Sequence, residues 1–132
     1  MILIDTNVIL DILDRDPAWC DWSTDQVRKL SILDDLGINS IIYAEISPRF
    51  SSAAALDRQL EDLRLTLFDI PRHAAFLAGK AHFVYRRQGG TRVNVLSDFF
   101  IGAHAAIMEC PILTRDVRSY ATYFPTVRLI CP

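Results

Sequence analysis

Short apolar runs alternate with segments of helical periodicity along the chain, and this alternation restricts the possible folds most strongly. A short, continuous apolar run is typical of a strand that is buried on both faces. Strands that alternate with helices form a parallel sheet with helices packed on both sides. We therefore expect a three-layer α/β/α domain with a central, mostly parallel sheet of about five strands. The predicted strands lie at 2–4, 38–41, 65–70, 111–114 and 127–130.

Capping residues indicate where several helices begin and end. Asp16 and Pro17 predict a helix start, with the aspartate as N-cap and the proline in the first turn. That helix is expected to stop at Gly37, in the left-handed conformation that glycine allows. A later helix is expected to begin at Asp98, with Ser97 as its cap.

Length and composition indicate a single domain. The chain has 132 residues, of which 51% are hydrophobic, and we see no linker or repeat. A hydrophobic content of this size suits a sheet that is covered on both faces. The three cysteines are widely spaced and form no C-x-x-C pair, so we predict reduced, buried thiols.

Charge and targeting signals narrow the function classes less. The formal net charge of −2 shows no basic excess of the kind usual in nucleic-acid binders. The carboxylates of a metal site would offset a local basic rim in this net charge, so RNA is not excluded as a substrate. The N-terminus lacks a basic leader, and the longest mostly apolar stretch, 99–108, is too short to span a bilayer. We expect a cytoplasmic protein.

Four carboxylates stand at or just beyond the ends of predicted strands, or open a helix: Asp5, Glu45, Asp98 and Asp116. In a parallel α/β sheet, ligands bind outside the carboxyl ends of the strands, where the strand order reverses. Carboxylates that converge there repel one another unless a cation lies between them. Hard divalent cations prefer oxygen ligands. The pattern therefore predicts a Mg²⁺ or Mn²⁺ site and phosphoryl chemistry.

Each acid also has a simpler interpretation. Asp98 and Asp116 could be ordinary acids at helix N-termini, which the helix dipole favours. Glu45 could lie in a solvent-facing turn. Asp5 is harder to explain in this way, because an acid directly after a buried strand is desolvated unless it is paired or bound to metal. Only the predicted fold joins the four.

Four motifs occur in order along the chain: Ile-Asp-Thr-Asn-Val-Ile-Leu, Tyr-Ala-Glu, Ser-Asp-Phe-Phe-Ile-Gly-Ala-His-Ala and Leu-Thr-Arg-Asp followed by Tyr-Phe-Pro. In this order and spacing they resemble a PIN domain, and the sequence is most similar to VapC-type toxins of bacterial type II toxin–antitoxin modules. The resemblance covers essentially the whole chain, and its strength comes from the four motifs together.

The resemblance implies an endoribonuclease that depends on Mg²⁺ or Mn²⁺. A metal-activated water, held by an acidic cluster, would hydrolyse RNA phosphodiester bonds. By that resemblance Asp5, Glu45, Asp98 and Asp116 form the catalytic quartet, and Asp5, Asp98 and Asp116 are the metal ligands. Arg115 departs from stricter versions of the last motif, next to the fourth acid.

The resemblance also implies supporting residues and partners. Thr6 and Asn7 match polar positions beside the first acid, and Thr114 matches a hydroxyl position near the last acid. Each would hydrogen-bond the carboxylates or the metal-bound waters. The expected partners are an RNA substrate, a VapB-like antitoxin and a second copy of the chain, with no membrane contact.

Basic residues offer candidate contacts for RNA phosphates. Lys80, Arg86, Arg87 and Arg92 lie on one predicted helix and its following connector. An ordinary solvated basic face is the alternative for each of them. Arg115 has two interpretations of equal weight, a phosphate contact or an ion pair with the acids.

Other functions remain as alternatives. The chain could be a housekeeping PIN nuclease in RNA processing, or a non-catalytic metal-binding or interaction module. An aspartyl-phosphate phosphatase would require a second aspartate two residues after Asp5, where Asn7 stands. A phosphoacceptor receiver would require a lysine near its last strand, but no lysine follows Lys80.

Overall fold

The structure is a computed structural model that describes residues 1–93 and 95–132. The chain alternates between strands and helices along its length, as the apolar runs predict. A short 3₁₀ turn, Ser47–Arg49, follows the third helix. The elements are β1 (Ile2–Ile4), α1 (Thr6–Leu13), α2 (Cys20–Leu33), β2 (Leu36–Asn39), α3 (Ser40–Ile46), α4 (Ala53–Asp62), β3 (Leu65–Phe68), α5 (Arg72–Arg87), α6 (Val95–Met108), β4 (Ile112–Leu113), α7 (Arg118–Ala121) and β5 (Leu129–Ile130).

The five strands form one sheet in the order β3-β2-β1-β4-β5, and every pair is parallel. Helices flank the sheet, so the predicted α/β/α architecture is confirmed. β1 pairs with β2 on one side, where Leu3 is opposite Gly37, and with β4 on the other, where Leu3 is opposite Ile112. The strand order therefore reverses between β1 and β4. The loops after these two strands meet at that point of the sheet edge.

The predicted end of α2 is wrong. The helix ends at Leu33, and Gly37 lies inside β2, which occupies Leu36–Asn39 instead of the predicted 38–41. A Cβ atom on Gly37 would lie 2.6 Å from the Phe68 ring. The Phe68 ring of β3 occupies the space that a side chain at Gly37 would take, and the residue type alone does not distinguish this role from a helix cap.

The start of α6 also differs from the prediction. This helix is described from Val95, so Ser97 lies inside its first turn and does not cap it, while Asp98 is an acid of that first turn. The connector before the helix includes Asn94, which lies outside the described residues. The predicted start of α2 also differs: the helix begins at Cys20 without a side-chain cap, and the Asp16 carboxylate accepts the N–H groups of Ala18 and Trp19 in the turn that precedes it.

The core lies between the sheet and the helices. Leu3, Ile4, Ile38 and Ile112 are fully buried, as expected for strands with both faces covered. Within the part of the chain that the structure describes, no helix is both long and apolar enough to cross a membrane. The cysteines are free thiols, but only Cys110 is buried, and the prediction of burial is wrong for the exposed Cys131.

Candidate active site

Asp5 is the most buried of the four acids. It follows β1 directly and caps α1, since its Oδ1 accepts the backbone N–H of Thr6 at 2.7 Å. Its Oδ2 accepts hydrogen bonds from the Thr114 hydroxyl at 2.7 Å and from the Asn7 amide at 3.0 Å. Only 5% of Asp5 is exposed. Burial raises the pKa of its carboxyl from 3.8 to about 6, Asp98 adds to the rise, and the hydrogen bonds oppose it.

Thr114 joins the first acid to the last. It follows β4, the strand beside β1, and is fully buried. Its hydroxyl donates to Asp5 and accepts the backbone N–H of Asp116 at 2.9 Å. Asn7 donates to the same hydroxyl at 3.2 Å. The switch point of the sheet thus connects Asp5, Asn7, Thr114 and Asp116 in one hydrogen-bond network.

Glu45 lies on α3, at the opening of the site. Its side chain is exposed, and its Oε1 accepts a hydrogen bond from the Thr6 hydroxyl at 2.8 Å. Partial burial raises the pKa of Glu45, and the negative charge of Asp98 adds to this rise. Thr6 therefore connects Glu45 to Asp5, because its N–H binds one acid and its hydroxyl the other.

Asp98 projects from the first turn of α6 and faces the remaining acids. Burial raises the pKa of its carboxyl and Asp116 raises it further, while the Ser119 hydroxyl and Arg92 oppose the shift. Ser119 donates its hydroxyl to Asp116 Oδ2 at 2.7 Å, so it lies between the two acids. Asp116 also accepts the N–H of Arg118 at 3.1 Å.

Tyr120 lies beneath the acids and was missed by the sequence analysis. It is fully buried, and its hydroxyl makes no hydrogen bond of good geometry among the described residues, although it lies close enough to Asp5 to lower that carboxyl's pKa. Burial raises the tyrosine's own pKa well above its usual value, and the nearby charges of Asp5, Asp98 and Glu45 contribute. Its position four residues after Asp116 gives a helical spacing. Nothing in the sequence separates such a tyrosine from an ordinary core residue.

The structure brings the four acids into one hydrogen-bond network. Among residues 1–93 and 95–132, no three His, Cys, Asp or Glu side chains lie close enough together to hold a metal. The donor set nevertheless fits a hard cation, because it consists of carboxylate oxygens supported by hydroxyl and amide groups. Burial raises the pKa of Asp5, Glu45 and Asp98, and a neighbouring acid of the quartet adds to each rise.

Arg115 forms an ion pair with an acid outside the quartet. Its Nε and Nη2 each donate to Asp11 at 2.7 Å, and Ser23 donates its hydroxyl to the same carboxylate at 2.7 Å. The guanidinium also lies over the ring of Trp19, with its carbon 5.0 Å from the ring centre. Asp11 is 3% exposed, so this pair is largely buried. The sequence analysis did not identify Asp11, which its helical context presents as an ordinary surface acid.

The other basic candidates separate into two groups. Lys80 lies over Phe76 and Arg87 over Phe83, both on the outer face of α5, and Arg86 is exposed on the same helix. Arg92 lies after α5, and its charge lowers the pKa of Asp98, so it is near the acids. The structure therefore brings Arg92 to the site and leaves the α5 residues on a separate surface.

Comparison with known proteins identifies the family. A family model of the PIN domain matches residues 2–125. The chain belongs to the PIN domain family. The resemblance predicted from the four motifs is thus confirmed. Among curated proteins, no match to this sequence is found.

Solved structures share the fold of this PIN domain. A chain of VapBC2 from Rickettsia felis, bound to a promoter DNA fragment, aligns with a TM-score of 0.74 and 20% identity over 99% of this chain and 98% of that chain. A chain of DNA-bound VapBC from Salmonella typhimurium aligns with a TM-score of 0.70 and 21% identity, over 98% of this chain and 96% of that chain. A chain of VapBC-1 from nontypeable Haemophilus influenzae aligns with a TM-score of 0.71 and 21% identity, over 99% of this chain and 98% of that chain. Each of these VapBC complexes therefore contains a chain with the same fold over nearly all of the present sequence.

Proposed function

We propose that this PIN domain is an endoribonuclease that depends on Mg²⁺ or Mn²⁺ and hydrolyses RNA phosphodiester bonds. The observation that carries the proposal is Asp5, a buried carboxylate whose pKa is raised to about 6 at the point where the strand order reverses. Glu45, Asp98 and Asp116 share its network. An acid kept in such a position costs stability, and a bound cation would offset that cost.

Asp5, Asp98 and Asp116 would hold the ion. Thr6, Asn7 and Thr114 would fix the carboxylate orientations through the hydrogen bonds described above. A bound divalent ion supplies an acidified water and neutralises charge on the phosphate oxygens. Glu45 is exposed and its pKa is raised, which suits a group that accepts a proton near the substrate.

We further propose that the protein is the toxin of a toxin–antitoxin pair, with a VapB-like antitoxin as its partner. The shared fold with chains of three VapBC complexes supports this role. A groove of about 370 Å³ between α1, α2 and α4 supplies apolar surface for a partner. At its edge Ile32 is 78% exposed and the next residue, Leu33, is 77% exposed, so apolar surface is available to a partner there. We also propose that the protein acts in the cytoplasm and that it forms a homodimer.

Cleavage of total RNA by the purified protein tests the nuclease. We expect discrete fragments with Mg²⁺ or Mn²⁺, none with EDTA, and none from Asp98→Asn, because asparagine keeps the shape and removes the charge. Asp21→Asn, which removes an exposed charge on α2, serves as the matched control. Silence of the wild type with every metal, together with absent Mn²⁺ binding, would favour the non-catalytic module.

Co-purification and growth assays separate a toxin from a housekeeping PIN nuclease. Expression of the wild type alone should arrest growth, and Asp98→Asn should not. Co-expression of the small protein encoded beside this gene should restore growth and form a stable complex. Unimpaired growth with an active nuclease would contradict the toxin role and favour RNA processing.

A further inference from the structure

A basic cleft lies directly beside the last acid of the quartet. Its volume is about 780 Å³. Three arginines and one carboxylate contribute to its walls, so positive charge predominates there. The lining residues are Asn7, Arg92, Arg115, Asp116, Val117 and Arg118.

Two of the three arginines keep their charge available. Arg115 is neutralised by Asp11, to which it donates two hydrogen bonds of 2.7 Å. Arg92 and Arg118 are both exposed, and among the described residues neither forms a salt bridge. The cleft therefore presents two guanidinium groups that a ligand could bind, on either side of Asp116 in the chain.

The backbone of Arg92 is held in place. Its N–H donates to the Tyr85 hydroxyl at 2.8 Å, and the N–H of Gly90 donates to the Tyr85 carbonyl at 2.9 Å. The Tyr85 ring packs against Phe99 and Tyr123, with centroid distances of 5.6 and 6.0 Å. Because Tyr85 belongs to this aromatic cluster, the loop that carries Arg92 is anchored to the core. Ordering Arg92 on a ligand then costs less conformational entropy.

The backbone of Arg118 is held by the site itself. Its N–H donates to Asp116 Oδ1 at 3.1 Å, at the start of α7. Arg118 and Asp116 also line the same cleft, so a ligand that Arg118 binds there lies near Asp116. Lys80 and Arg87 differ in this respect, because each lies over an aromatic ring of α5 and neither is among the residues that line the cleft.

Resting on the proposed nuclease function, we propose that this cleft binds the phosphodiester of single-stranded RNA next to the bond that is cleaved, with Arg92 and Arg118 as its contacts. A guanidinium presents donors that match the two free oxygens of a phosphodiester. Phosphate contacts of this kind position a strand without reading its sequence. Arg118, which the sequence analysis did not select, becomes a substrate-binding residue, while Arg115 supports the cleft wall through Asp11.

Binding measured without cleavage tests this assignment. The probe is a short, fluorescein-labelled single-stranded RNA, and its anisotropy is followed with the full chain in EDTA. We expect Arg92→Gln and Arg118→Gln each to weaken binding roughly tenfold, the loss of one charged hydrogen bond. The slope of log K against log salt should fall by about 0.7 for each lost phosphate contact. Arg87→Gln removes the same charge from α5 and should leave affinity and slope close to those of the wild type.

Three results would overturn the proposal. One is a double variant, Arg92→Gln/Arg118→Gln, that binds as the wild type does. Another is an equal loss on Arg87→Gln, which would indicate attraction by net charge alone. The third is a polyglutamate peptide that competes as well as RNA of equal charge, which would indicate an acidic peptide as the ligand.

A parallel assay keeps this proposal separate from the nuclease. Wild-type cleavage with Mg²⁺ reports on the proposed function, while binding in EDTA reports on the cleft. If the wild type never cleaves RNA but the arginine variants lose RNA binding, only the proposed nuclease function is contradicted. Normal cleavage and binding by both arginine variants would contradict only the cleft. Unchanged melting temperatures of the variants, expected for exposed side chains, exclude misfolding as the cause.

Discussion

At the scale of single residues, the buried carboxylate of Asp5 lowers the stability of the fold when it is ionised. Its pKa is raised to about 6 in the folded protein, against 3.8 without the surrounding structure. Between these values the folded state binds more protons than the unfolded state, so stability is highest at low pH and is lost as pH rises through 6. The raised pKa values of Glu45 and Asp98 act in the same direction.

The pH dependence of the free energy of unfolding should reveal this cost. Without metal, the wild type should lose roughly 3 kcal/mol between about pH 4 and pH 7 relative to Asp5→Asn, since the shift of about two units costs 1.36 kcal/mol per unit. Urea unfolding in EDTA at several pH values measures the difference. Asp21→Asn is the control, because Asp21 is exposed on α2. A constant gap between the wild type and Asp5→Asn at every pH would contradict the prediction.

The Thr114 hydroxyl should be more important than the threonine's methyl group. Thr114→Val removes the donor to Asp5 and the acceptor for the Asp116 N–H, and its shape is otherwise conserved. We expect a stability loss of about 1–3 kcal/mol from the unsatisfied groups. RNA cleavage should fall roughly 10–100-fold. Thr114→Ser, which keeps the hydroxyl, should retain cleavage within a few-fold of wild type; equal activity of the two variants would show that the hydroxyl is dispensable.

At the scale of secondary-structure elements, the Asp11–Arg115 pair connects α1 to the loop after β4. Ser23 brings α2 into the same contact through its hydrogen bond to Asp11. The pair therefore holds three segments beside the acids, and one of them begins with Thr114. Breaking it affects the geometry of the site without removing any of the four acids.

Removal of Arg115 should be costly because it leaves the buried carboxylate of Asp11 without its cation, with the Ser23 hydroxyl as its remaining side-chain donor. We expect Arg115→Ala to lower the free energy of unfolding by about 3 kcal/mol, the lower end for a broken buried pair, since Arg115 is 27% exposed. Arg49→Ala breaks the exposed pair with Asp14 and should cost far less stability, because solvent screens both charges. Chemical denaturation of both variants compares them.

The double variant Asp11→Ala/Arg115→Ala completes the cycle. It should be no less stable than Arg115→Ala, because it removes the unpaired buried charge. Additive losses from the two single changes would show that the residues do not stabilise one another.

At the scale of the whole molecule, the candidate site joins both halves of the sheet. Asp5 follows the central strand β1, and Thr114 and Asp116 follow the neighbouring strand β4. Glu45 comes from α3, which follows β2, and Asp98 comes from α6. A cation bound among them would bind the folded state alone, since the unfolded chain does not assemble these groups. Metal binding should therefore stabilise the whole domain.

Thermal unfolding with Mn²⁺ tests this coupling. At a concentration ten times the dissociation constant, the ion should add about 1.4 kcal/mol, and EDTA should reverse the gain. The stabilisation should be smaller at pH 5, where Asp5 is largely protonated in the folded protein. Asp98→Asn should abolish most of it. Equal stabilisation of Asp98→Asn by Mn²⁺ would place the ion elsewhere.

The sequence predicted the parallel sheet, the place of Asp5 after a buried strand and the PIN family. These features follow from local chemistry, because apolar runs, helical periods and the motifs are contiguous in the chain. Local chemistry misled the analysis at Gly37 and Ser97. A glycine can end a helix or leave room for a neighbouring side chain, and a serine near a helix start can be the cap or a first-turn residue. The residue type alone does not distinguish these roles.

The tertiary structure alone decided how distant residues combine. It paired Arg115 with Asp11, 104 positions away and outside the quartet, a partner that neither interpretation of that arginine had named. It also buried Tyr120 beneath the acids and brought Arg92 and Arg118 to one cleft while leaving Lys80 and Arg87 apart. Such neighbours depend on the strand order, and the physical reason is that burial and Coulomb interactions act through space, between groups whose separation the order of residues does not encode.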